Sequence, residues 1–316
     1  MTEPVGTILC IVGPTASGKT QLAAELALLL NGEVISADSM QVYRSMDIGT
    51  AKPTMAERRG VPHHMLDVAE PWEAYSVARY VSEAIPCVDA ILSRGKIPIV
   101  AGGTGLYIDA LAAGREFAAF HPDSGHRARL RQFALQQGLE PLLAELRAVD
   151  PSTAARLHPN DEKRIIRALE VWYETGKTIS EHNEETAALP PRYHALTLGL
   201  AFHDRAAMWA RIDRRVDEMM ANGLEKEVRG LLGDGIDPSC TAMQAIGYKE
   251  LASALAEGRS PAEGAEEVKL RSRQYAKRQL TWFRRNPDTR WFYWDEAMNF
   301  EALRHFSIDQ VTDFGI

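Results

Sequence analysis

Gly13-Pro14-Thr15-Ala16-Ser17-Gly18-Lys19-Thr20 is the stretch on which the reading of this chain turns. It follows the apolar run Ile8-Leu9-Cys10-Ile11-Val12 and precedes a helical pattern with Leu22, Leu26, Leu29 and Leu30 on one side. Strand, glycine loop and helix form the context in which G-x-x-x-x-G-K-[ST] carries a mechanism. The glycines let backbone N–H groups turn inward around phosphate oxygens, and the helix N-terminus adds its partial positive charge. Lys19 can neutralise a terminal phosphate, and the Thr20 hydroxyl can hold Mg²⁺. Gly13, Pro14, Thr15, Ala16, Ser17, Gly18, Lys19 and Thr20 are therefore read as a site for a diphosphate or for a triphosphate such as ATP. A glycine-rich turn matching by chance would lack the flanking strand and helix.

Working outward, Gly32 to Ser39 reads as a short buried strand ending in polar residues, and Met40 to Ala51 as a loop, with Gly49 and Pro53 as breakers. A helix is predicted from about Ser76 to Arg94, closed by Gly95, with Pro86 expected to kink or split it. Ile97 to Ala101 is another apolar strand, ending at Gly102-Gly103-Thr104-Gly105. Strands alternating with helices at this spacing imply a parallel sheet covered on both faces, with ligands at the carboxyl ends of the strands. The phosphate loop, Asp38-Ser39 and Gly102 to Thr104 then share one rim. From about Phe117 to Pro191 strand-like runs vanish, and helices are predicted over 127–137, 141–149, 153–157 and 161–175, bracketed by Pro122 and Pro190-Pro191. The fold class is thus α/β, a P-loop-type parallel-sheet core (1–116 and 192–316) carrying an all-helical insertion (117–191). Ala195 to Leu200 returns to a strand, Asp204 caps a long helix ending at Asn222-Gly223, and Trp291 to Trp294 is the last predicted strand.

Composition narrows the class. With 316 residues, 45% apolar and 25% charged, the chain is an ordinary globular protein of about two domains. Its 36 Lys and Arg against 43 Asp and Glu leave a net charge of −7, so any nucleic-acid contact must come from a local patch. Cys10, Cys87 and Cys240 lie far apart, which fits a reduced cytoplasmic protein and excludes a cysteine-built zinc site. Neither a signal peptide nor a membrane span is expected.

Four groups of residues carry chemistry. Asp38, just past a strand and beside the phosphate loop, can accept a proton or hold Mg²⁺; the alternative is a turn cap. The strand Ile97 to Ala101 ends without the carboxylate that an ordinary P-loop ATPase places there, offering instead two glycines and the Thr104 hydroxyl. Arg205, Arg211, Arg214 and Arg215 line one helix, and one of them reaching the phosphates would clamp a leaving group. Lys269 to Arg285 holds seven cations, no acidic residue, and Tyr275, Trp282 and Phe283 interleaved, a composition suited to RNA phosphates and bases or else to a solvated helix with an aromatic core face. His63 and His64 lack metal-ligand spacing, so structural roles are expected.

The gathered motifs resemble those of bacterial tRNA dimethylallyltransferases. The resemblance rests on Gly13 to Thr20, Ile35 to Tyr43, Met46 to Pro53, Pro62-His63-His64 and Gly102 to Tyr107. It continues through His158 to Asp161 with Arg167 to Glu170, and Ala245 to Tyr248, covering about residues 8 to 286. That family transfers a dimethylallyl group from its diphosphate to N6 of the adenosine 3′ of the tRNA anticodon, releasing diphosphate. The resemblance implies that residues 13–20 hold the donor diphosphate with Mg²⁺ at Thr20, and that Asp38, positioned with Gln41, is the base. It places Thr104 at the reacting centre and Arg215 on the diphosphate. It implies tRNA contacts at Asp38, Ser39, Met40 and Gln41, at Glu162, Lys163, Arg164, Ile165 and Ile166, and at Met243, Gln244, Ala245, Ile246, Gly247 and Tyr248. Thr104 and Arg127 would lie near the tRNA. Lys277 and Arg278 of the basic segment are candidate contacts to the anticodon stem-loop. Eukaryotic relatives often end in a zinc finger that is not seen here, so a short bacterial form, monomeric and without a membrane partner, is expected. The rival classes are a small-molecule kinase and an enzyme that prenylates a free adenylate.

Overall fold

The computed structural model describes residues 4–115, 125–295 and 297–316. Residues 115–190 form one compact unit, and the chain on either side of them forms the other. Phe117 and Pro122, read as the leading edge of the insertion, lie outside the described residues.

In the larger unit six strands make one all-parallel sheet in the order β3-β2-β4-β1-β5-β6. They are β1 (Gly6–Val12), β2 (Gly32–Ser36), β3 (His63–His64), β4 (Ile97–Gly102), β5 (Tyr193–Phe202) and β6 (Arg290–Trp294). Ile8 through Val12 are fully buried, as a central parallel strand covered on both faces requires. Alternation divides them: Ile8, Cys10 and Val12 face one apolar core with Ile35 and Val100, while Leu9 and Ile11 face a second with Ile99 and Leu198. Register brings Val12 level with Gly102 and Gly199, and Ser36 level with Ala101, so the carboxyl ends of four neighbouring strands form one rim.

The helices of this unit are α1 (Lys19–Leu29), α2 (Met55–Arg58), α3 (Val77–Ser93) and α4 (Gly105–Ala113) before the insertion. The insertion unit holds α5 (His126–Gln137), α6 (Glu140–Val149), α7 (Pro151–Arg156), α8 (Glu162–Thr175) and α9 (Ile179–Ala187), around Leu130, Leu142, Leu146, Ile165 and Leu169. After it come α10 (Arg205–Ala221), α11 (Leu224–Gly233), α12 (Tyr248–Ala256), α13 (Pro261–Phe283) and α14 (Phe300–Phe314). None of the described helices is long and apolar enough to cross a membrane.

Two expectations about elements change. Pro86 neither splits nor ends α3, because Pro86 and Ser82, whose carbonyl loses its N–H partner, are both exposed and water can serve that carbonyl. Helix α14 was not anticipated beyond the last strand, although Asn299 caps it through the Ala302 N–H.

The loop of residues 46–53 is held like an anion site turned inward. Three consecutive N–H groups, of Asp47, Ile48 and Gly49, converge on the Glu227 carboxylate of α11 at 2.9–3.2 Å. Tyr248 donates its hydroxyl to the same carboxylate. Lys52, only 4% exposed in its side chain, bonds Asp47 and Asp67 at 2.5 Å each and the Tyr43 carbonyl at 2.8 Å. Gln41 then joins this loop to the rim, donating to the Thr50 and Ala51 carbonyls and accepting from the Ser36 hydroxyl. Gly49 is required by close approach, since a Cβ there would lie 2.4 Å from the Tyr248 ring and 2.8 Å from Leu224. Gly49→Ala should therefore cost about 1–3 kcal/mol of stability by overpacking. Urea denaturation checks this, and an unchanged midpoint would mean that the Tyr248 ring yields freely.

Candidate active site

The phosphate loop is built as its residue types demand. Gly13 (φ 148°) and Gly18 (φ 90°) take positive φ, and Ala16 (φ 62°) is the one left-handed residue with a side chain, kept small. Four consecutive residues are tied from outside or across the loop. Lys19 Nζ donates to the Pro14 carbonyl at 2.7 Å, and the Thr15 N–H donates to Gln279 Oε1 at 2.9 Å. Arg211 Nε donates to the Ala16 carbonyl at 3.1 Å, and Trp294 Nε1 to the Ser17 carbonyl at 2.9 Å. The loop is thus shaped before any ligand arrives. The Ser17 hydroxyl is fully buried with no hydrogen-bond partner among the described residues.

Next to it on the rim, Asp38 Oδ1 accepts the N–H of Met40 at 2.9 Å and of Gln41 at 3.4 Å. Asp38 therefore does cap its own turn, yet carboxylate lone pairs remain for other partners. Thr104 Oγ1 accepts the Ser39 N–H at 3.0 Å and lies 3.2 Å from Ser39 Oγ, and the Thr104 N–H donates to the Ala37 carbonyl. This intimate contact of two strand ends needs Gly102, where a Cβ would stand 2.1 Å from the Ala37 carbonyl oxygen. Arg215 from α10 is half-buried beside Asp38 and Lys19.

The electrostatics are unbalanced. Burial and then the Arg215 charge push Lys19 down to about 7, with Asp38 opposing. Burial also lowers Arg215 and Arg211 below the usual arginine range, though guanidinium stays charged at neutral pH. Lys19, Arg211 and Arg215 thus gather at the amino end of α1, with Asp38 facing Lys19 and Arg215, Glu218 near both arginines and Glu57 near Arg215.

Sequence reading missed what α13 contributes. Gln279, buried, bonds the Thr15 N–H with one end of its amide and donates to the Gly103 carbonyl at 3.0 Å with the other. Tyr275 interacts with Thr104 and Gln279, and burial together with the Asp38 charge pushes its hydroxyl up to about 12. Their spacing of four on one helix was the signal available. The cations of that segment also divide. Lys269 pairs with Asp217 and Glu266, Arg271 with Glu267, and Arg273 with Asp213, so these three are neutralised from outside the acid-free stretch. Lys277, Arg278 and Arg284 are exposed, with no carboxylate partner among the described residues; Arg278 lies over the Tyr275 ring and Arg285 over Trp282.

The side chains of the implied RNA contacts differ in exposure. Met243, Ala245 and Tyr248 are core residues, as are Ile165 and Ile166 of the insertion unit, so their side chains are sealed away by packing. Gln244 is exposed and bonds the Pro238 carbonyl, Ile246 is half-buried, and Gly247 is buried with its N–H on Glu250. Gln41 has its amide engaged within the protein, whereas Met40 and Ser39 are half-buried on the rim. In the insertion unit Glu162, Lys163 and Arg164 are exposed, Arg164 on Asp161, while Arg127 bonds the buried Glu170. His64 bonds Glu33 and His63 the Val61 carbonyl, the structural roles expected. A cavity of about 820 Å³ opens between α4, the start of β5 and the chain after α13; Val12 at the end of β1 lines it, whereas the phosphate loop, Asp38 and Thr104 do not.

Fold and rim together define an α/β protein of the P-loop class in which a cation-lined glycine loop lies beside a carboxylate-bearing turn on a neighbouring strand. A sequence model of the IPP transferase family matches residues 41–286, and one for isopentenyl transferase matches 6–70. The chain is 48% identical over 309 residues to the tRNA dimethylallyltransferase of Acetivibrio thermocellus, covering 98% of each. It matches the crystal structure of the tRNA isopentenylpyrophosphate transferase from Bacillus halodurans at 39% identity and TM-score 0.71, covering 97% of each chain. It also matches a eukaryotic dimethylallyltransferase acting on tRNA at 31% identity and TM-score 0.81, over 97% of this chain and 79% of that one. The chain belongs to the IPP transferase family.

The depressed Lys19 has a pH signature. In the unfolded chain this amine titrates near 10.5 and in the unligated fold near 7, so it costs stability fully below about pH 7, a cost that fades as pH rises toward 10.5. A bound diphosphate favours the charged amine and draws the proton back. Relative to Lys19→Arg, whose charge does not titrate, wild-type affinity for inorganic diphosphate should fall by up to about tenfold per pH unit above pH 7. Calorimetric titrations from pH 6 to 9 check this, and parallel profiles for the two proteins would mean that Lys19 is already charged.

Proposed function

We propose that this protein transfers a dimethylallyl group from dimethylallyl diphosphate to N6 of the adenosine 3′ of the anticodon in tRNA, with diphosphate as the other product. The observation that carries this reading is the meeting of a cation-rich phosphate loop and the Asp38–Thr104 pair on one rim, in a chain whose relatives are named for tRNA prenylation. The kinase alternative is weaker because β4 ends in Ala101-Gly102 with no metal-organising carboxylate.

The chemistry follows from the charges. The C1–O bond to the diphosphate breaks as the N6–C1 bond forms, and carbon gains cationic character while negative charge collects on the leaving group. Lys19, Arg211, Arg215 and the loop amides lie where that charge develops, and they need little reorganisation because the loop is already tied in place. An exocyclic adenine amine is too weak an acid to lose its proton first. Asp38 takes it as the nitrogen becomes cationic, with Ser39 and Thr104 fixing the turn that aims the carboxylate. The adenine must leave its stack to reach the rim.

Mg²⁺ fits the oxygen donors present, the Thr20 hydroxyl together with diphosphate oxygens, in the manner of sites that use one or two protein groups plus substrate phosphates. Among the described residues no cluster of three or more His, Cys, Asp or Glu makes a protein-only metal cage. The ion would add further neutralisation of the leaving group. A cytoplasmic monomer is the form we infer.

Purified protein given labelled dimethylallyl diphosphate and Mg²⁺ should label unmodified tRNA and not AMP, with no turnover of ATP; label in AMP alone, or ATP turnover alone, would overturn the reading. Asp38→Asn should lower kcat by about 10²–10⁴. It should leave diphosphate binding intact or tighter, since it removes the negative charge beside Lys19 and Arg215. Near-normal turnover would remove Asp38 as the base. Lys277→Glu with Arg278→Glu should raise the KM for tRNA and spare that for the donor, and steady-state kinetics with each substrate varied decides this.

A further inference from the structure

One buried amide joins the two halves of the rim. Gln279 is 5% exposed, accepts the Thr15 N–H of the phosphate loop at 2.9 Å, and donates to the Gly103 carbonyl at 3.0 Å, next to Thr104. Thr104 bonds Ser39, the neighbour of Asp38, and Tyr275, one turn earlier on α13, interacts with both Gln279 and Thr104. The fit is close: a Cβ on Gly103 would lie 2.2 Å from Gln279 Nε2. The same turn of helix carries the exposed Lys277 and Arg278 on its other sides.

Both ends of a primary amide are used, so neither loop can shift without disturbing the other. Moving the Thr15 N–H away leaves Oε1 unpaired in a buried site, and moving Gly103 does the same for Nε2. A ligand that settles the phosphate loop therefore settles the Gly103–Thr104 turn as well, and by linkage the reverse holds with equal strength.

We propose that Gln279 is a positioning residue that couples donor binding to acceptor binding, so that RNA at the Asp38–Thr104 half-site tightens the phosphate loop on diphosphate. This rests on the proposed prenyl transfer to tRNA. Gln279 need touch neither substrate; it acts through Thr15 on one side and through Gly103 and Thr104 on the other.

The test measures the dissociation constant of inorganic diphosphate with Mg²⁺ by calorimetry, with and without an unmodified anticodon stem-loop RNA. Wild type should bind diphosphate about tenfold more tightly when the RNA is present, a coupling of ordinary size. In Gln279→Leu, which keeps the bulk and removes both hydrogen bonds, that ratio should approach one while each binary affinity moves less than the ratio does. Because an unpaired buried pair could damage folding, Gly103→Ala provides a second route. It displaces the Gln279 amide tip without altering Gln279, and should lose the same coupling, with kcat falling more than either KM. A ratio of one in wild type, or a wild-type ratio in both variants, would overturn the proposal. So would binary losses as large as the ternary ones, which would make Gln279 a plain support of the loop. Label transfer by the wild-type enzyme to the same stem-loop is run beside these titrations. Its failure with both ligands still binding would sink the prenyl-transfer reading and not the coupling, which the ratio reports by itself.

Discussion

Like charges crowded into little water set the terms for this molecule. Lys19, Arg211 and Arg215 gather at the amino end of α1, itself the positive end of a helix, and the Asp38 carboxylate faces Lys19 and Arg215. Such a cluster does not assemble for stability, since burial depresses all three cations, Arg215 adds to that at Lys19, and Arg214 adds to it at Arg211. It persists because hydrophobic burial on both faces of the sheet holds the strand ends that carry it. The gathered positive charge favours an anion there, and the diphosphate of the proposed donor would supply one.

That charge explains why the loop is braced from so many directions. A glycine-rich loop lined with cations would otherwise open to let water between them. Gln279, Arg211 and Trp294 each hold one backbone group, and they arrive from α13, α10 and β6, all distant in sequence. Trp294 is itself buried against Phe292 and Phe300, so the brace is continuous with the core. On the acceptor side the same logic recurs with the sign reversed. Glu227 sits in a nest of three N–H groups, and Lys52 answers two aspartates, fixing the 46–53 loop on which Gln41 leans. Both half-sites are tied from several directions, which limits the reorganisation that electrostatic catalysis would otherwise need.

These two halves were unequally legible in the sequence. The phosphate loop, β1, β4 and α10 announce themselves locally, through an apolar run, a glycine pattern or a capping aspartate, because their causes lie within a few residues. The bracing does not, since Gln279 and Trp294 look like any glutamine and tryptophan until the fold carries them across 264 and 277 residues. Motif residues were also easier to find than to interpret. Tyr248 and Gly49 stand in stretches read for RNA contact or for turns, and the structure gives them to each other: the ring fills the space that a side chain on Gly49 would occupy, and its hydroxyl serves Glu227. A sequence pattern preserves the need for a residue without saying whether that need is chemistry or packing. Helix α9 shows the opposite case, since its Thr178–Glu181 capping box is a local signal, yet no helix is predicted there.

The basic segment of α13 illustrates how one helix serves three demands at once. Composition sees seven cations in a row and suggests a uniform RNA-binding face. Helical period divides them: Lys269 and Arg273 point to the aspartates of α10, Tyr275, Gln279 and Trp282 turn toward the rim and α4, and Lys277 and Arg278 remain in solvent. Pairing to α10 matters for the site because α10 also carries Arg211 and Arg215. The ion pairs Lys269–Asp217 and Arg273–Asp213 are partly exposed and individually weak, yet they fix the two helices in one register. In that register Arg211 reaches the Ala16 carbonyl and Gln279 reaches the Thr15 N–H, adjacent residues of one loop held by two helices that hold each other.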